Sequence, residues 1–205
     1  MLIFDAATHS YFWNGVRVPG VTTVLGEFIT IGIVYISTFS GAHILAECME
    51  KARDFGTAVH RMIALDVAGE LDEDALDPAL AAVLHQWHRV CCMVRPEIIM
   101  SETPLYCSAH HFAGTADLIL KIKGVLSVID LKTGLYGSAG AQVAAYEVLA
   151  REHLKTRAKF DRYVLHLPKN GGDFKLVKLT NSNDWGFFLS RLYQWKYLKG
   201  MNNGK

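Results

Sequence analysis

The order of elements legible in the chain predicts an α/β domain built on a mixed central β-sheet flanked by helices, with an N-terminal helical elaboration. Three observations carry that expectation. Apolar residues recur at three and four residues over 41–69 and again over 78–94, the period of a helix with one buried face. Two apolar runs, 116–122 and 125–131, flank the turn candidate Lys123-Gly124 and predict a hairpin. Residues 160–167 and 174–179 alternate as strands around Lys169-Asn170-Gly171-Gly172. A length of 205 residues suits one domain with a full core. It divides into a hairpin and helical part over 1–95 and a sheet core over 96–200.

Taken in order, bulky residues on either side of Asn14-Gly15 predict a first hairpin, because that dipeptide is the strongest short turn signal. Pro19-Gly20-Val21-Thr22-Thr23 then offers a hydroxyl cap ahead of an apolar stretch, a helix start. The run 28–39 fits a buried strand or a buried helix. Gly56 sits inside the 41–69 helical pattern and predicts a break into two helices, the second opening at Gly56-Thr57. The acidic stretch 66–77 reads as a solvated linker or helix start. Leu80, Val83, Leu84, Trp87, Val90 and Cys91 form the apolar stripe of the next helix, which Pro96 ends. Strands follow over 97–105 and 112–131, then a glycine-bearing loop over 133–140 and a helix from 141 to about 155. A last amphipathic helix, capped from Asn181, Ser182 or Asn183, carries Trp185, Phe188, Leu189, Leu192 and Trp195.

Composition excludes more than it proposes. Apolar residues make up 51% and charged residues 20%, as in a soluble globular protein, and a formal net charge of +1 leaves any polyanion-binding surface to local clustering. The four cysteines, Cys48, Cys91, Cys92 and Cys107, form no CxxC pair and are expected as reduced thiols. The N-terminus lacks a basic start, so no signal peptide is expected, and the run 28–39 is shorter than the roughly 20 residues a membrane span needs. A cytoplasmic location is the expectation from these absences.

The chemistry concentrates in Gly114-Thr115-Ala116-Asp117 and Ile129-Asp130-Leu131-Lys132-Thr133-Gly134. Asp130 and Lys132 project from one face of a strand, with Leu131 on the other. If Lys123-Gly124 is the turn, antiparallel partners sum to about 247 and Asp117 falls opposite Asp130, in a non-hydrogen-bonded position with Cα atoms about 4.5 Å apart. Two carboxylates that close repel unless a cation or a shared proton lies between them, so the spacing asks for a metal. Gln142 and Tyr146 stand four residues apart on one helix face after the loop, His60 lies one turn beyond Gly56, and Glu102 precedes the hairpin. Each has a plain alternative: a packed helix histidine, a Lys132–Asp130 ion pair, a surface glutamate, a polar helix stripe.

In that order these residues resemble the PD-(D/E)XK nuclease superfamily, in its RecB-like and phage-type exonuclease branch. The matching elements are a helical G-x-x-x-H (Gly56, His60), the upstream Glu102, G-x-x-D (Gly114, Asp117), I-D-x-K-T-G (129–134) and Q-x-x-x-Y (Gln142, Tyr146). The likeness is strong over about 55–150 and looser over 9–25. It implies a restriction-endonuclease-like core and metal-dependent hydrolysis of phosphodiester bonds.

The resemblance also implies roles. Asp117, Asp130 and the Leu131 carbonyl would ligate Mg²⁺, or Mn²⁺ if His60 joins them. Lys132 would orient or help deprotonate the attacking water and offset charge in the transition state. Glu102 would hold a second ion or a bound water, and Gln142 and Tyr146 the scissile-strand phosphate or the lysine. Because no cysteine follows Cys107, no iron–sulfur cluster is expected. DNA is the implied partner, with any recombinase, annealing protein or helicase on a separate chain and oligomerisation left open. Arg151, Lys155, Arg157, Lys159 and Arg162, and Arg191, Lys196 and Lys199, are candidate phosphate contacts. His110 and His111 are candidates to border the site. The expected activity is an exonuclease acting in recombination or repair. A structure-selective endonuclease or nickase on the same core, or a non-catalytic nucleic-acid-binding module, are the alternatives.

Overall fold

The structure is a computed structural model and describes residues 1–26, 42–134 and 139–202. It begins with a small antiparallel sheet in chain order, β1 (Leu2–Asp5), β2 (Ser10–Trp13) and β3 (Val16–Val18). Asn14 and Gly15 make the expected turn, both with positive φ (49° and 80°), which matches the right-handed twist of the flanking strands. β1 was not expected: only four residues long, it carries too little pattern to be seen alone. The described part of α1 covers 21–26, so Thr22 and Thr23 lie inside its first turn rather than capping it. Backbone bonding from Gly20 replaces the predicted hydroxyl cap, its carbonyl accepting from Val24 N at 3.0 Å. The run 28–39 lies outside the described residues.

α2 (Ala42–Ala68) passes through Gly56 without a break. An internal glycine costs a helix about 1 kcal/mol, and the buried Val59, Met62 and Ile63 offset it by packing. A Cβ at Gly56 would have Thr133 Oγ1 as its nearest neighbour, at 3.6 Å, so this helix runs close to the end of the motif strand. The acidic stretch is structural: Asp72 caps a 3₁₀ turn (Glu73–Ala75), and Asp77 accepts from Ala79 N and Leu80 N to start α3 (Pro78–Val94). α3 ends at Arg95 in the left-handed region, whose N–H reaches Cys91 O.

The main sheet has five strands in chain order: β4 (Glu97–Cys107), β5 (Phe112–Ile122), β6 (Val125–Lys132), β7 (Asp161–His166) and β8 (Lys175–Lys178). All neighbours are antiparallel except β6 and β7, which α4 (Ala139–His153) links as a parallel crossover. The chain closes with α5 (Asp184–Asn202). One face of the sheet packs with α2 and α3 through Val59, Ile63, Val83, Trp87, Leu118, Ile129, Leu131 and Leu165. The other packs with α1, α4 and α5 through Val24, Phe112, Ile119, Val128, Val143, Leu149 and Phe188. The chain is thus α/β with a five-stranded mixed central sheet flanked by helices. Cys91, Cys92 and Cys107 are free thiols, and no helix among the described residues is long and apolar enough to cross a membrane.

Candidate metal centre

The β5–β6 hairpin turns at Lys123-Gly124, with φ of 50° and 81°, and pairs in the expected register, Ile122 with Val125 through Leu118 with Ile129. The next step outward brings Asp117 to Asp130. There the side chain takes over from the ladder: Asp117 Oδ2 accepts from Leu131 N at 2.7 Å. The alternation of β5 also breaks at this point, since Ala116 packs in the α4/α5 core and Leu118 in the α2/α3 core. Asp117 is thereby turned towards α2.

Glu102 lies between the pairs Ser101–Leu118 and Thr103–Ala116, and so stands across from Asp117 on the neighbouring strand. Its φ of 44° is uncommon for a residue with a side chain, and such outliers cluster at functional sites. From α2, His60 Nδ1 reaches Glu102 Oε1 at 3.1 Å and Asp117 Oδ1 at 3.4 Å, while Nε2 lies 3.2 Å from the Leu131 carbonyl oxygen. Both ring nitrogens face acceptors, so both donate and the ring is an imidazolium. Burial by itself would lower its proton affinity. The Asp117 carboxylate and then Glu102 outweigh that and raise the pKa to about 10.

His60, Glu102 and Asp117 bring ligand atoms within 4.8 Å of one another, the spacing that can hold a metal ion. Asp130 is not in that group. Its carboxylate is fully buried and 2.8 Å from Lys132 Nζ, outside hydrogen-bond angles, and neither oxygen accepts a hydrogen bond among the described residues. Burial first and the Asp117 charge second push its pKa up to about 7, against Lys132 and His60. Buried carboxylate oxygens without donors are costly, and a hard cation satisfies them. The donor set of imidazole, carboxylates and a backbone carbonyl therefore fits Mg²⁺ or Mn²⁺, with Mn²⁺ favoured by the imidazole.

The opposite side of the sheet edge supplies the cation. Lys132 Nζ donates to Gln142 Oε1 at 3.3 Å, and Gln142 Nε2 donates to the hydroxyl of Tyr146 at 3.2 Å, a chain rooted in α4. Tyr146 is buried, which raises its pKa well above the usual phenol range, with Asp117 and Asp130 adding to the shift. Gly114 makes room for this arrangement. A Cβ there would meet Tyr146 Cε1 and Val21 Cγ2, both at 2.9 Å.

Two features escaped the sequence reading. Tyr11 of the small sheet is buried and shares a 2.9 Å hydrogen bond with Thr115 Oγ1; burial raises its pKa, and the Glu102 and Asp117 charges contribute. Only its place in an H-x-Y segment hinted at this. Conversely, His110 and His111 sit at the β4–β5 turn, in contact with Trp185 and with the Tyr106 hydroxyl. Arg151 and Arg162 are bound by Glu147 and Asp184, tying α4, β7 and α5 together.

Compared with models of known protein families, the chain matches none, and no curated protein matches it either. The functional case rests on the residues themselves.

Proposed function

We propose that this chain is a divalent-metal-dependent DNA nuclease on a PD-(D/E)XK, restriction-endonuclease-like core, acting as a phage-type exonuclease in recombination or repair. What supports the reading above all is the convergence at one sheet edge of His60, Glu102, Asp117 and the Leu131 carbonyl, with the buried, undonated Asp130 and Lys132 beside them. A binding module has no physical need to bury carboxylates where a phosphate would lie.

The parts have distinct tasks. His60, Asp117, Asp130 and the Leu131 carbonyl would hold the ion, with Glu102 holding it directly or through water. The ion supplies ionised water at neutral pH and neutralises phosphoryl charge. The Leu131 amide fixes the Asp117 carboxylate by donating to Oδ2. Lys132 presents its ammonium to the phosphoryl oxygens or to the attacking water, and Gln142, held by Tyr146, sets its direction. Because the charges are in place before substrate arrives, little reorganisation is required at the moment of reaction.

Purified protein with Mg²⁺ or Mn²⁺ is expected to degrade linear DNA and to be inert in EDTA. Linear, nicked, covalently closed and single-stranded DNA, with RNA alongside, separate the modes. Closed circles cut as readily as ends would replace exonuclease by endonuclease. Binding without cleavage under every metal would replace both by a binding module.

A further inference from the structure

In the sheet register Lys132 of β6 pairs with His166 of β7, and His166 pairs with Lys175 of β8. Residues in register on neighbouring strands project from the same face. The row beneath, Leu131–Leu165–Leu176, packs in the α2/α3 core. Lys132, His166 and Lys175 therefore share the opposite face, the side from which Gln142 reaches Lys132. The row stands at the C-terminal ends of the parallel strands β6 and β7, above the buried Val164. Exposure grows along it: Lys132 and His166 are half-buried and Lys175 is exposed. Burial and then the Lys175 charge hold the His166 pKa below its usual value, which puts the two side chains within electrostatic reach.

The same edge carries the opposite sign on its other half. Glu102, Asp117 and Asp130 occupy successive strands β4, β5 and β6, so the edge is acidic from β4 to β6 and basic from β6 to β8. A polyanion held at Lys132 is repelled along the first half and attracted along the second. From Lys132 to Lys175 the row covers two strand spacings, about 10 Å, room for the next phosphate or two of an extended strand.

We propose that His166 and Lys175 are the substrate track of this site: one nucleic-acid strand crosses the sheet edge from β6 to β8, with the scissile phosphate at Lys132 and the adjoining phosphates over His166 and Lys175. The assignment rests on the nuclease reading above and adds the direction in which the strand leaves the site.

The test is steady-state cleavage of a dye-labelled single strand, with Mn²⁺, across a salt series. Lys175→Gln is expected to raise KM about 3–10-fold, leave kcat within about twofold and flatten the log–log salt slope of kcat/KM by about one. Lys175→Arg restores the wild-type values, and His166→Gln shifts KM in the same direction by less. Lys178→Gln is the internal control, because Lys178 is on the same strand but bound to Asp161 at 2.6 Å. The track is overturned if wild-type protein cleaves while Lys175→Gln keeps the wild-type KM and salt slope, or if Lys178→Gln matches it. If wild-type protein neither binds nor cleaves nucleic acid with Mg²⁺ or Mn²⁺, the nuclease reading falls and the track with it.

Discussion

Two groups of acids and histidine in this chain have metal-ligand spacing, and they serve different ends. One is His60, Glu102 and Asp117 at the sheet edge; the other is Asp66, Glu73 and His88 between α2 and α3. In the second, both oxygens of Asp66 are occupied: the buried Trp87 indole N–H donates to Oδ2 at 2.7 Å, and His88 Nε2 lies 2.9 Å from Oδ1. That carboxylate is a latch holding two helices together, and its hydrogen-bonding capacity is spent. In the first, three carboxylates crowd around one imidazolium, and Asp130 is buried beside them without a donor. Ligand residue types are common to both groups. Unmet demand for a cation distinguishes the site from the latch.

The contrast breaks most decisively on activity. Asp117→Asn and Asp130→Asn are each expected to lower cleavage by about 10²–10³-fold or more, whereas Asp66→Asn leaves it within about twofold; a linear-DNA degradation assay with Mn²⁺ decides. Equal losses at all three would erase the distinction. On stability the order reverses. Asp66→Ala strands the Trp87 N–H in the core and is expected to cost about 1–3 kcal/mol in urea unfolding, with metal dependence unchanged.

Asp130→Asn is expected to stabilise the metal-free protein at alkaline pH, by on the order of 1–3 kcal/mol. The sign follows from its pKa, raised from 3.8 to about 7 on folding. The folded state holds this proton more tightly than the unfolded chain, so stability falls as pH rises from about 3.8 and the full cost is present above about 7. Unfolding curves of wild type and variant should converge at acid pH and separate above neutrality. Parallel curves would show that the carboxylate is not strained.

The smallest effect concerns protons. With a pKa of about 10, His60 stabilises the metal-free fold fully below its ordinary 6.5 and loses that contribution as pH rises through 10. Ligating a metal requires the neutral ring, so Mn²⁺ binding is expected to release close to one proton at pH 7 and to tighten as pH rises. Calorimetry in buffers of different ionisation enthalpy reads the proton count, and His60→Gln should abolish it. Release unchanged in that variant would remove His60 from the ligand set.

Local chemistry made much of this legible in advance. Lys123-Gly124 and Asn14-Gly15 specify their turns because few other dipeptides accept two positive φ values, and a two-residue turn sets the register of everything that follows. That is why Asp117 could be placed opposite Asp130 by counting. Asp77-Pro78 opened α3 at the residue expected. Gly56 misled, because a glycine's local cost is small beside the packing of Val59, Met62 and Ile63. β1 was invisible because four residues gain their structure only by pairing with β2.

The sequence by itself determined the hairpin, the same-face relation of Asp130 and Lys132, and the residue types of the centre, since each depends on turn geometry or on a period of two. The tertiary structure alone decided that His60 bridges Glu102 and Asp117, that Asp130 is buried without a donor, and that Tyr11 closes in behind Thr115. It also decided which of two similar acid–histidine groups is a latch. Those facts depend on how a helix docks on a sheet 42 or more residues away in sequence, and no local period encodes a docking distance or the loss of water around a charge.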